Sequence, residues 1–197
     1  MDLIKAKGRL MAIGGGEDKE KECLILKESV RLAGGEKARI VIFTMATDSP
    51  EEAAAKYRKI FKRLGAKEAE SIDISQRSDA KRAENIERVE KASGIFFTGG
   101  DQLHITSLMG GTELQKAIRD SYEKGVIVAG TSAGAAMTYS DIPYLEKGQS
   151  LALAGVKIHV LPNSYKFDLK TREIIIPGRA AKKAKAATLN ENEKTGK

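Results

Sequence analysis

Val126-Ile127-Val128-Ala129-Gly130-Thr131-Ser132-Ala133-Gly134-Ala135-Ala136 is a β-branched run, a serine framed by two glycines, and then alanines. It reads as a buried strand, a tight turn and a helix. The G-x-S-x-G spacing from Gly130 to Gly134 predicts a nucleophile elbow, a turn that holds a serine hydroxyl clear of the sheet. Glycine beside the serine gives the turn its backbone freedom and leaves room for a substrate carbonyl at Oγ. A helix beginning at Ser132 would aim unpaired N–H groups, the positive end of its dipole, at an oxyanion formed there.

Outward from this segment, strand and helix signals alternate. Strands are predicted over Arg9 to Ile13, Arg39 to Met45, Ala69 to Ile74, Gly94 to Thr98 and Val126 to Ala129. Helices are predicted over Glu17 to Ala33, Pro50 to Leu64, Ser78 to Ala92 with Ser78 as its cap, and Thr112 to Lys124. Pro50 suits a first helical position, and Glu51 and Glu52 suit the dipole there. Such alternation predicts an α/β fold, a doubly wound and mostly parallel sheet with helices on both faces. Ligands of such sheets bind at the carboxyl ends of the strands. The Gly14 loop, Gly99-Gly100-Asp101-Gln102 and Ser132 are therefore expected on one edge. Val156 to Leu161 and Tyr165 to Leu169, joined through Pro162-Asn163, read as a C-terminal β-hairpin.

The chain of 197 residues is long enough for one domain with a substantial core. No apolar run reaches the roughly 20 residues that span a bilayer. Lys5, Lys7 and Arg9 interrupt any signal-peptide core at the N-terminus. The single cysteine, Cys23, excludes internal disulfides and suits a reducing, cytoplasmic setting; among Leu24, Leu26 and Val30 it reads as core. Of the net charge of +7, +4 falls in Gly178–Lys197, where six basic residues face two acidic ones. That Ala/Lys/Glu/Asn-rich segment predicts a disordered tail over 177–197, after a single α/β domain over 1–176. A polyanion could meet the tail, but no stacking aromatics accompany it, and nucleic acid is not the expected partner.

Two glycine turns accompany the elbow. Gly99-Gly100-Asp101-Gln102 reads equally as a bend presenting an N–H to the serine and as an ordinary strand-to-helix turn. Gly14-Gly15-Gly16-Glu17-Asp18 resembles a phosphate cradle, but lacks G-x-G-x-x-G spacing and a ribose-binding acid after the second strand. No His/Cys/Asp cluster has metal-ligand spacing, and no cofactor is expected.

IGGGEDK (13–19), FFTGGDQLHITSLMGGTEL (96–114) and VAGTSAGAAM (128–137) together resemble the cyanophycinase family of serine peptidases. The likeness spans about Arg9 to Met137 and resumes within Thr138 to Arg172, through LALAGVKIHVLPNSYKFDLKTR. It implies a fold like that of class I glutamine amidotransferases and kinship with the aspartyl dipeptidases. It also implies hydrolysis of cyanophycin, a polyaspartate bearing arginines, to β-aspartyl-arginine. Carried over by position, Ser132 would be the nucleophile and the N–H groups of Gly100 and Ala133 the oxyanion hole. Asp101 and Gln102 would position substrate.

One departure is expected to matter. Family members continue after the elbow to an Asp-Gln-His stretch that supplies the base, whereas here Met137 runs directly into TYSDIPYLEKG. A serine hydroxyl is a poor nucleophile without a proton acceptor. The chain has two histidines. His104 follows the Gly99-Gly100 turn and reads either as a replacement base or as a substrate or surface residue; His159, in an alternating stretch, reads as structural. A shortened sheet leaves an unpaired edge, which predicts a homodimer. Three function classes remain: a serine-type exopeptidase on an aspartyl-arginine polymer, a catalytically impaired relative acting by binding, and a polyanion binder acting through its tail.

Overall fold

A computed structural model describes residues 8–135 and two short strands beyond them, Lys166–Asp168 and Glu173–Ile175. The expected strands are present: β1 (Arg9–Ile13), β2 (Arg39–Phe43), β3 (Glu68–Ile72), β4 (Gly94–Phe97) and β5 (Ile127–Thr131). They form one parallel sheet in the order β1-β5-β4-β2-β3. Helices α1 (Leu24–Leu32) and α2 (Pro50–Arg63) follow β1 and β2; α3 (Ala83–Lys91), α4 (Gln102–Met109) and α5 (Glu113–Glu123) lie between β3 and β5.

The strand order explains which face each helix covers. From β1 through β2 to β3 the chain steps one way across the sheet, and from β3 through β4 to β5 it steps back. Right-handed crossovers then put α1 and α2 on one face and α3, α4 and α5 on the other. The alternation of side chains within β2 matches. Ile40 and Ile42 pack with Leu26, Ile60, Phe61 and Phe96, while Val41 and Phe43 pack with Val89, Ile105, Leu114 and Phe97. Both faces are covered, so the central strands read as unbroken apolar runs.

On the α2 face Phe61, fully buried, meets Phe96 edge-on with ring centres 5.2 Å apart. Phe61→Ala is expected to cost about 3–5 kcal/mol by lost transfer energy and the cavity left behind. A urea titration checks this as a lowered midpoint with an unchanged slope.

Two predicted helices are shorter than their sequences suggested, and a carboxylate explains the first. The first starts at Leu24, not Glu17, because Asp18 accepts hydrogen bonds from the N–H groups of Glu20 (3.0 Å), Lys21 (2.9 Å) and Cys23 (3.0 Å). These bonds wrap 18–23 into a loop and hold the Asp18 carboxyl well below its usual range. Cys23 ends the loop just ahead of the helix, buried, with a left-handed φ of 49°. The third helix begins at Ala83. Asp79 accepts the N–H groups of Ser75 (3.1 Å) and Gln76 (3.0 Å), both ahead of the predicted start, and a 3-10 turn at Asp79–Lys81 and an extended Arg82 precede the helix. Ser78 makes no cap hydrogen bond. Helix α4 was not anticipated beyond its polar start.

Contacts divide the chain into two units, Met1–Leu151 and Ala152–Lys197. In the second, β6 (Lys166–Asp168) pairs antiparallel with β7 (Glu173–Ile175). The second arm of the expected hairpin, Tyr165 to Leu169, contains β6; its first arm, Val156 to Leu161, lies outside the described residues. His159 and the basic tail from Gly178 lie outside them as well. Among the described residues no helix is long and apolar enough to cross a membrane.

Candidate active site

The strand–serine–helix turn forms as its sequence predicts. Strand β5 ends at Thr131, Ser132 takes a left-handed φ of 53°, and Ala133 to Ala135 are helical. A non-glycine residue is rarely held in that region, at a cost of order 1–2 kcal/mol, and such strain clusters at functional sites. The turn is pinned by the Ser132 N–H, which donates to the Ile13 carbonyl at the end of β1 (2.8 Å). Thr131, Ala133 and Gly134 are buried while Ser132 is exposed. The one outward-facing group of the turn is therefore its serine.

The glycines of the motif are required by sterics. A Cβ on Gly130 would stand 2.1 Å from the Gly134 carbonyl oxygen, and one on Gly134 would stand 2.4 Å from that of Phe97. The turn is thus folded flat against itself and against the end of β4.

Two glycine loops flank the serine. A Cβ on Gly15 would lie 3.4 Å from the Ser132 Cβ and 3.9 Å from Oγ; one on Gly99 would lie 3.1 Å and 3.7 Å away. The Gly14 loop, the Gly99-Gly100 turn and Ser132 therefore share one edge, as parallel topology requires. Gly100 has φ +143° and passes so close to β2's exit that a Cβ would fall 1.8 Å from the Ala46 carbonyl oxygen. The next residue, Asp101, donates its N–H to that same oxygen (2.7 Å). Its carboxylate caps α4 by accepting the Leu103 N–H (2.7 Å). Asp101, Gln102 and His104 are all exposed on the first turn of α4.

A residue that the sequence motifs do not single out is bonded to the threonine just before the serine. Glu17, which reads from sequence as a loop acid or the start of a helix, has a side chain that is 1% exposed. It accepts hydrogen bonds from Tyr57 Oη of α2 (2.5 Å) and Thr131 Oγ1 of β5 (2.7 Å), and pairs with Lys19 Nζ (2.8 Å). Burial pushes its pKa up, but the bonds from Lys19, Tyr57 and Thr131 together overcome this and leave it lowered from its ordinary 4.5. The reciprocal effect drives the Tyr57 hydroxyl far above its usual range, through burial and then the bond to Glu17. The available signal is a charged residue just after a run of glycines at a strand's end. Among the described residues, no group of His, Cys, Asp and Glu could hold a metal ion.

The Glu17 shift has a definite sign. A carboxylate with a depressed folded pKa stabilises the fold above its unfolded pKa, and that contribution is lost as pH falls through the folded value. Glu17→Gln is therefore expected to lower Tm most at neutral pH. The gap to wild type should close below about pH 4.5, the ordinary value of the group. Thermal melts of both proteins between about pH 3 and pH 7 check it. Asp18 and Asp79 titrate in both proteins and cancel in the difference.

A parallel α/β sheet with an exposed, strained serine between two glycine loops at its carboxyl edge defines the class: an α/β protein with the strand–serine–helix turn of hydrolases. Residues 10–182 match the model of Peptidase family S51. The chain belongs to that family. It is 34% identical to the cyanophycinase of Synechococcus elongatus over 172 residues, covering 87% of this chain and 50% of that protein. It is 38% identical to the cyanophycinase of Geminocystis herdmanii over 132 residues, covering 66% of this chain and 48% of that one. The chain thus spans about half the length of these relatives. Among solved structures, a peptidase from an acI-B1 Actinobacterium aligns with a TM-score of 0.54 and 27% identity, over 66% of this chain and 55% of that one.

Proposed function

We propose that the chain is a serine-type exopeptidase of the cyanophycinase kind, cleaving an arginine-bearing polyaspartate to β-aspartyl-arginine with Ser132 as nucleophile. The observation that carries this reading is the left-handed, exposed Ser132 at the sheet's carboxyl edge. The likeness to named cyanophycinases supplies the substrate class. The N–H groups of Gly100 and Ala133 serve as the oxyanion hole; neither has an acceptor among the described residues. Donors fixed in place before charge develops cost no reorganisation during reaction. Asp101 and Gln102, exposed at the head of α4, hold the substrate, and His104 on the same turn accepts the serine proton. The Asp101 carboxylate already holds the Leu103 N–H, so it presents its other oxygen to a basic side chain.

A second reading is favoured by the histidines themselves. No Asp-Gln-His stretch follows the elbow, and His104 and His159 are the chain's two histidines. A serine without an aligned base binds substrate but turns it over slowly. The chain would then act by binding the same polymer.

The test is release of β-aspartyl-arginine from purified cyanophycin by the full chain. Release supports the first reading. Co-sedimentation of the chain with the granules and no release would support the second. Neither release nor binding would overturn both. The same preparation, run by light scattering over a wide concentration range, tests the homodimer expected from the sheet edge.

A further inference from the structure

We propose that Glu17 is a positioning residue for Ser132, acting through Thr131: one buried carboxylate ties the glycine loop after β1 to the last residue of β5, immediately before the serine. The inference rests on the reading of Ser132 as nucleophile, and assigns the group that holds it in place. The geometry closes a ring. From Ile13 the chain runs through Gly14, Gly15 and Gly16 to Glu17, whose Oε2 accepts the Thr131 hydroxyl (2.7 Å). The next N–H, that of Ser132, returns to the Ile13 carbonyl (2.8 Å). Thr131 is also the register partner of Ile13 in the sheet.

The ring has a reason to exist. A loop of three glycines, with φ +99° at Gly15 and +67° at Gly16, has little stiffness of its own. Ser132 is held in a backbone region that its side chain disfavours, so its neighbours must fix it there. A buried carboxylate suits that task. It is acceptor-only and binds hydroxyl donors with charge-assisted strength, and leaving any of its donors unmet is costly in an apolar site. The two contacts on Oε1 differ in kind. Tyr57 anchors Glu17 to α2, and Lys19, partly exposed, neutralises its charge. Among the described residues, only the bond on Oε2 reaches the serine's strand. A residue that merely stabilised the domain would transmit the loss of Tyr57 and the loss of Thr131 alike. A residue that positions the elbow would not.

That contrast is the experiment. Amide hydrogen exchange at Ser132 is measured relative to exchange at Ile42 in the middle of β2, for the full chain. Thr131→Val removes the hydroxyl and keeps the shape. It is expected to raise the Ser132 rate at least tenfold relative to Ile42. Tyr57→Phe cuts the other anchor and is expected to change both amides together, with their ratio within about twofold of wild type. Thr131→Ser, which restores a hydroxyl, is expected to return the ratio to wild type. Equal ratios in Thr131→Val and Tyr57→Phe, or no rescue by Thr131→Ser, would overturn the proposal. Should Thr131→Val fail to fold, Glu17→Gln read in the same way takes its place. Failure of both to fold would also overturn it, by making Glu17 a prop of the whole domain. Exchange needs no turnover, so a chain that releases no dipeptide counts against the proposed function and leaves this result standing.

Discussion

Gly130→Ala is expected to destabilise the domain by about 3 kcal/mol or more, among the largest effects available to a single methyl group. The added carbon would stand 2.1 Å from the Gly134 carbonyl oxygen, 2.3 Å from its carbon and 2.8 Å from the Ala135 nitrogen. All three are backbone atoms of the serine turn. No side chain can rotate away, so relief requires the helix after Ser132 to lift off β5, and the Ser132 bond to Ile13 to break with it. The fitting control is Gly14→Ala, in the neighbouring loop. That position has nothing within 4 Å of an added Cβ and no positive φ. Gly14→Ala is expected to stay within about 0.5–1 kcal/mol of wild type, on the stabilising side, because alanine narrows the unfolded ensemble. Denaturant midpoints of the two variants, taken together, check the claim. Similar values would show that the turn tolerates the methyl, and that sterics are not what fixes glycine at Gly130.

Ser132→Ala is expected to reduce β-aspartyl-arginine release at least about a thousandfold, since it removes the group that forms the acyl intermediate. Its stability should stay close to wild type, for the hydroxyl is exposed and the left-handed backbone strain is unchanged. Ser132→Gly is the informative companion. It loses the same hydroxyl and also relieves the strain at φ 53°, so it is expected to be more stable than Ser132→Ala by about 1 kcal/mol. Loss of release with a gain of stability would mean that the fold stores strain at this residue for its chemistry. His104→Ala belongs in the same assay. With His104 as base, its removal lowers the rate by about 100-fold or more. An unchanged rate would assign His104 to the surface and the proton to another acceptor.

Much of the fold was legible because local rules and the tertiary structure agree. RIVIF, GIFF and IVAGT are apolar runs too short for helices, bounded by turn residues, and buried on both faces. The G-x-S-x-G spacing foretold the turn, since only glycine avoids the clashes a Cβ would meet at Gly130 and Gly134. Glu17 to Cys23 has a helical composition, and so does Ser78 to Arg82. In the first, Asp18 takes N–H groups a helix would have used; in the second, a 3-10 turn and an extended Arg82 stand where the helix was expected. Short-range competition of that kind is set by side-chain geometry, which periodicity does not carry.

The sequence by itself determined the strands, the parallel sheet and the serine turn, because these follow from side-chain spacing, chirality and the sterics of glycine. Tertiary structure alone decided the strand order β1-β5-β4-β2-β3, and with it which helices share a face. It alone brought Gly15 and Gly99, 84 positions apart in sequence, to either side of Ser132. It also turned Glu17 from a loop acid into a buried carboxylate bonded to Tyr57, Lys19 and Thr131. The physical reason is that burial of a charge depends on where distant donors converge, and only the packed chain brings α2, β5 and the glycine loop to one point.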